Sequence, residues 1–144
     1  MIYRFANVVG PRSSHGVIYD FVRKLSKDPS TLEILGDGTQ SKSYLHVDDC
    51  VDALLFALRI EDQIDIFNVG TEDQIDVQTI ADIVVEEMEL KDVKYHFTGG
   101  FQGRGWRGDV KVMLLDANRL RNLGWKAEHN SKDAIRLAVR SVIK

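Results

Sequence analysis

Two periods of apolar residues run through the chain, one of two residues and one of three to four, and glycine or proline marks several of the changes between them. Ile2 to Val9 is a mostly apolar run closed by Gly10-Pro11, the pattern of a buried strand entering a loop. Val17, Ile18, Phe21, Val22 and Leu25 then recur at helical spacing, which predicts a first helix from about Gly16 to Lys27, stopped by Asp28-Pro29. Leu32 to Leu35 alternates and meets Gly36-Asp37-Gly38, a short strand ending in a tight turn, and Ser43 to Val47 predicts the next strand. Asp48 or Asp49 is placed to cap a second helix ending near Arg59, with Val51, Ala53, Leu54, Ala57 and Leu58 on its apolar face.

The second half of the chain repeats the alternation. Ile66 to Val69 predicts a buried strand before a turn at Gly70-Thr71, and Val77 to Met88 a third helix with Ile80, Ile83, Val84 and Met88 inward. Val93 to Phe97 reads as a strand and Val110 to Leu115 as extended chain. Asp116 caps a short helix reaching about Leu123, and Ser131-Lys132-Asp133 opens a final helix through Ile143. Gly99 to Trp106 is the most glycine-dense stretch, and inside a domain such a stretch is more often a functional loop than a linker. Strands alternating with helices predict an α/β fold, and without repeats or low-complexity tracts residues 1–144 read as one domain.

Composition narrows the function classes. With 144 residues, 44% hydrophobic and 28% charged, the chain can bury a core. A net charge of -3 argues against nucleic acid or an anionic membrane as a partner, since both require clustered lysine and arginine in excess. No apolar run approaches the roughly 20 residues of a membrane helix. The single cysteine, Cys50, has no internal partner for a disulfide, so a cytoplasmic, reduced setting is expected.

Candidate chemistry is sparse. Gly36-Asp37-Gly38-Thr39-Gln40-Ser41 imitates the start of a dinucleotide fingerprint, but it lacks the third glycine and leads into a strand rather than a helix. His46, Asp48, Asp49 and Cys50 lie close in sequence, yet capping and packing account for them and no metal is expected. Asn7, beside a strand end, can offer a donor and an acceptor to a ligand, or can satisfy the turn at Gly10-Pro11. Arg104-Gly105-Trp106-Arg107-Gly108-Asp109 suits phosphate, because arginine presents a planar charged fork and glycine lets backbone donors approach an anion; a solvated loop is the alternative.

Arg4-Phe5-Ala6-Asn7, followed by Gly10-Pro11, resembles the arginine-x-x-asparagine and glycine-proline stretch of extended short-chain dehydrogenase/reductases, the NAD-dependent nucleotide-sugar epimerases and dehydratases. Lys42, within Gln40 to Asp49, resembles the family's glycine-x-arginine-aspartate-tyrosine strand with lysine in place of arginine, and the stretch Leu123-Gly124-Trp125-Lys126 is also similar. The resemblance implies the carboxy-terminal part of a Rossmann-type sheet plus a small mixed α/β substrate-binding lobe. It also implies a catalytic tyrosine-lysine pair and an NAD site upstream of this chain, with no catalytic residue in the chain itself. By the same resemblance Phe5 and Ala6 face the nicotinamide, while Asn7 contacts the substrate diphosphate or sugar. His15, Gly16 and Val17 lead into the substrate-lobe helix, and the backbone of Leu32, Glu33 and Ile34 lies against the nucleotide base. Arg4 is assigned to structure.

In relatives an arginine-x-glycine-aspartate motif holds the diphosphate; aligned on Gly108-Asp109, that arginine position is Trp106 here. Arg104, Arg107 or neither then takes the role, with Arg104 preferred, held by Asp109 or by the loop backbone. The implied parent is a UDP-glucose 4-epimerase-like enzyme acting on a nucleotide-diphosphate sugar and dimerising through its other half. A 4,6-dehydratase, a reductase fragment and a non-catalytic nucleotide-sugar binding module are the alternatives.

Overall fold

The computed structural model describes residues 1–60 and 65–144. The chain runs β1 (Ile2–Phe5), β2 (Asn7–Val9), α1 (Val17–Lys27), β3 (Thr31–Ile34), β4 (Ser41–Lys42), β5 (Tyr44–His46) and α2 (Val47–Ala57). It continues through β6 (Ile66–Val69), β7 (Ile75–Asp76), α3 (Val77–Glu87), β8 (Lys94–Phe97), β9 (Val112–Met113), α4 (Asn118–Asn122) and α5 (Ser131–Val142). The fold is α/β, as expected.

The opening apolar run is two strands rather than one, because the chain changes neighbour in its middle. β1 pairs in parallel with β6, and β2 pairs in parallel with β5. Ala6 N–H reaches Val69 O at 2.9 Å, whereas the next amide, Asn7 N–H, reaches Ser43 O at 3.3 Å. Successive amides of a strand point to opposite edges, so β5 and β6 flank one spine on opposite sides. Nor is the run buried throughout: Ile2, Phe5 and Val8 are 54%, 45% and 42% exposed. Among the described residues, no strand takes the edge on which β1 presents Tyr3 and Phe5.

β3 pairs in parallel with β8, and β4 lies between β7, antiparallel to it, and β9, parallel to it. The two-residue strands β4 and β7 are too short to show any period in the sequence. One core gathers α1, α3 and α5 over β3, with Phe21, Leu25, Leu32, Ile34, Ile80, Ile83, Ile135 and Val139 at its centre. A second joins Leu45, Cys50, Ala53, Ala57, Phe67, Val69, Leu120 and Trp125.

α1 and α3 follow their predicted apolar stripes, but α2 does not. Its buried face is Cys50, Ala53 and Ala57, while Val51 and Leu58 are 49% and 69% exposed. Small residues let this helix sit close against the sheet, and the larger ones turn outward. Its cap is also different from expectation: His46 Nδ1 accepts the Asp48 amide at 3.4 Å, and Asp48 and Asp49 belong to the first turn. Asp76 caps α3 through the Thr79 amide at 2.7 Å, and Asn130 caps α5 through the Asp133 amide at 2.8 Å. Ala117 precedes α4, with Asp116 Oδ1 accepting the Asn118 amide.

The two cores are joined by a buried polar knot. Ser131 Oγ, at the start of α5, takes the Tyr44 amide at 3.0 Å and lies 2.9 Å from Thr71 Oγ1, which in turn lies 2.8 Å from Ser43 Oγ. The Asp73 carboxylate accepts the Ser131 amide and hydroxyl. Removing the hydroxyl strands a buried amide, so Ser131→Ala is expected to lower stability by about 1–3 kcal/mol in urea unfolding. An unchanged midpoint would show that the knot is not a structural joint.

Candidate functional site

The candidate cleft lies between β2, β4, the start of β5, α1 and the glycine-rich loop. Two adjoining cavities, of about 470 Å³ and about 270 Å³, share Gly16, Val17, Lys42, Tyr44 and Trp106. The larger reaches Ala6, Asn7, Ser13 and His15; the smaller reaches Phe21, Leu35, Gln40, Val77 and Asp109. The larger runs along the whole of β2, and both meet β5 at its first residue, Tyr44.

Each wall follows from local chemistry. Gly16, with φ of 92°, ends the loop and lets α1 begin at Val17. Lys42 and Tyr44 are two residues apart on a strand-like stretch and therefore share a face. Lys42 Nζ donates to Asp109 Oδ1 at 2.8 Å, and Asp109 Oδ2 accepts the Gly105 amide at 3.1 Å. The Asp109 side chain is only 4% exposed, so a mostly buried carboxylate holds both the cation and the glycine-rich loop. Burial, with the Asp109 charge adding to it, pushes the Tyr44 phenol up to about 12. Lys42 Nζ also lies 5.8 Å from the centroid of the Trp106 indole.

The residues expected from sequence divide into those the fold gathers and those it does not. Ala6, Asn7, His15, Gly16, Val17, Lys42 and Asp109 line the cleft. Asn7 Nδ2 donates to Ser43 O at 3.3 Å, and it is Ser13 Oγ that meets the Gly10 carbonyl, so the Asn7 side chain does not serve the Gly10-Pro11 turn. Phe5 stacks on Tyr3 instead of lining either cavity. Leu32 and Ile34 are fully buried in the core and Glu33 points to Lys24; the neighbouring Leu35 is the residue of that segment that reaches the cleft. Arg104 and Arg107 line neither cavity. Arg104 Nη1 contacts Gln102 at 3.4 Å; of the two expected holds on Arg104, the loop backbone is present, through its paired bonds with Phe101, whereas Asp109 pairs with Lys42 instead.

Tyr44, Leu35 and Gln40 were missed from sequence. Strand alternation from Lys42 signals Tyr44, whereas nothing local signals Leu35 or Gln40. Away from the cleft, Asp49, Glu128 and His129 lie close enough to surround an ion, but Asp49 already accepts the Glu128 and His129 amides and the His129 ring at 2.9, 3.2 and 3.0 Å. That trio joins α2 to the segment before α5.

Two tethers set the glycine-rich loop. Asp109→Ala is expected to free the Gly105 amide, raising its exchange rate by about tenfold or more while the helices stay protected; unchanged exchange would mean that the turn holds without its carboxylate. The second tether is Asp37, whose Oδ2 accepts Lys111 Nζ at 3.0 Å. Hydrogen bonds from the Thr39 hydroxyl, the Thr39 amide and Lys111 lower its carboxyl from 3.8 to about 2. A depressed carboxyl favours the folded contact above the ordinary value and loses it as pH falls towards the folded one. The Gly103 and Lys111 resonances should therefore shift between about pH 4 and pH 2, and a titration near 4 would dissolve the tether.

The profile of the NAD dependent epimerase/dehydratase family matches residues 1–70. A Methanocaldococcus jannaschii protein provisionally named UDP-glucose 4-epimerase is 32% identical over 147 aligned residues, covering 96% of this chain and 44% of its own length. The crystal structure of a UDP-galactose 4-epimerase superposes with a TM-score of 0.81 at 38% identity, covering 97% of this chain and 44% of that one. The Thermotoga maritima UDP-glucose 4-epimerase, solved with UDP-glucose, gives 0.76 at 29% identity, covering 96% and 44%. The chain thus spans less than half the length of these relatives, and its α/β architecture is part of their Rossmann-type fold. In profile, sequence and fold, the chain is similar to members of the NAD-dependent epimerase/dehydratase family.

Proposed function

We propose that this chain is the nucleotide-sugar-binding half of an NAD-dependent epimerase, with 4-epimerisation of a UDP-hexose as the reaction. The observation that carries this reading is the two-part cleft with Lys42 at its junction. A nucleotide sugar has the same order: a planar base, an anionic diphosphate and a polar sugar. The smaller, apolar cavity suits the base, Lys42 the diphosphate, and the larger cavity beside Asn7, Ser13 and His15 the hexose.

Holding the ligand by base and diphosphate leaves the sugar free to turn in the wider cavity, as epimerisation requires. The neutral Tyr44 phenol offers a hydrogen bond near Lys42, and the Asn7 amide can orient a sugar hydroxyl or phosphate oxygen. Bound NAD supplies hydride acceptance and return. This chain has no glycine fingerprint to hold a dinucleotide, and of the two residues expected at the nicotinamide only Ala6 reaches the cleft. The dinucleotide is therefore assigned to a cofactor-binding half that also carries the tyrosine-lysine pair. The open edge of β1, with exposed Phe5, Val51, Leu55 and Leu58 nearby in sequence or on α2, fits the addition of further structure from that half.

Amide-resolved NMR titration of the chain tests the reading. UDP and UDP-glucose are expected to shift Asn7, Lys42 and Gly105, with ADP and NAD leaving them unmoved, and Lys42→Ala should weaken UDP-glucose binding by about tenfold or more, equivalent to about 1.4 kcal/mol. The chain alone, given NAD, should not epimerise UDP-glucose. Shifts elsewhere, or turnover by the isolated chain, would overturn the assignment.

A further inference from the structure

The cleft is unusually poor in positive charge for a site meant to hold a dianion. Among its described lining residues Lys42 is the one lysine or arginine, and it is already paired with the mostly buried Asp109. The other carboxylate in the lining, Asp20, is held by Lys24 at 2.7 Å. What the cleft has instead is Trp106, which borders both cavities while remaining 59% exposed. Large aromatic side chains left open at the mouth of a cavity bind ligands by offering a flat apolar face.

Resting on the nucleotide-sugar reading, we infer that Trp106 is a ligand-binding residue that stacks on the nucleobase in the smaller cavity, so that stacking supplies affinity that a second cation would otherwise give, while the choice among bases falls to the cavity's other walls. The smaller cavity has the right lining, since Val17, Phe21, Leu35 and Val77 leave a slot with apolar walls. Trp106 is held at its edge from both sides: its carbonyl accepts the Asp109 amide at 3.1 Å, and Asp109 in turn takes the Gly105 amide. These bonds fix the main chain at Trp106 and so keep the indole's point of attachment at the mouth of the cavity. Lys42, 5.8 Å from the ring centroid, lies beside the stacked base where the first phosphate would follow. The arrangement recognises a base by its planar face and the diphosphate by one shared cation.

Calorimetric titration with UDP, UDP-glucose and inorganic pyrophosphate separates the possibilities. Trp106→Ala is expected to weaken UDP and UDP-glucose by the same factor, between about 5-fold and about 150-fold, and to leave pyrophosphate unchanged. Trp106→Phe should keep most of the affinity. Because the side chain is exposed, both variants should unfold at the wild-type urea midpoint, which separates a lost contact from a lost fold. Weakening of UDP-glucose alone would place the indole on the sugar and overturn the inference, and weakening of pyrophosphate as well would make it a support for Lys42. Unchanged affinities in Trp106→Ala would overturn the stacking role while leaving nucleotide-sugar binding intact; a wild-type chain that binds none of the three probes would overturn both.

Discussion

At Ala6 and Asn7 two consecutive backbone amides bond to strands on opposite sides of the spine, and the cleft depends on that exchange. Below it, β6 accompanies β1; above it, β5 accompanies β2. The larger cavity runs along β2 beyond this exchange, and side chains of β4, β5 and α1 complete its lining. The crossing is close: a Cβ built on Gly70 would lie 3.1 Å from that of Ala6. A larger residue at either place would press the spine away from β6 at the point where the sheet must divide.

The second constraint is electrostatic. Asp109 brings Lys42 to the centre of the cleft and simultaneously holds the loop that carries Trp106. Pairing lowers the cost of placing each charge at a partly dry site, but it also reduces the field available to an anionic ligand. The loop reaches this position through backbone conformations that glycine tolerates. At Gly100, with φ of 51°, a Cβ would lie 1.7 Å from Arg104 O, so the tight turn that directs Arg104 away from the cleft excludes a side chain there.

Helices with wide stripes of large apolar residues were readable without the fold. Phe21 and Leu25 in α1, Ile80, Ile83 and Val84 in α3, and Ile135 and Val139 in α5 meet in one core, because a helix has only one face on which such residues can be buried together. The stripe of α2 was misread because alanine and cysteine pack the sheet while larger apolar residues face outward. No periodicity distinguishes those two faces. The cap by His46 was equally hidden, since aspartates next to it have the higher capping preference and were engaged elsewhere or exposed.

The site shows the same division. The order of local motifs was enough to read an α/β chain resembling the epimerase/dehydratase family and, through that resemblance, to single out Asn7, Lys42 and Asp109. Whether Asp109 would meet Arg104 or Lys42 was decided by tertiary structure: Lys42 is 67 residues away in sequence and 2.8 Å away in space. The same holds for Leu35, Gln40 and Trp106, which join one cavity only after β3, β4 and the glycine-rich loop converge. Local sequence sets which conformations and chemical groups are available, whereas the pairing of distant groups depends on which strands share an edge, and that choice is made by the collective burial of the core.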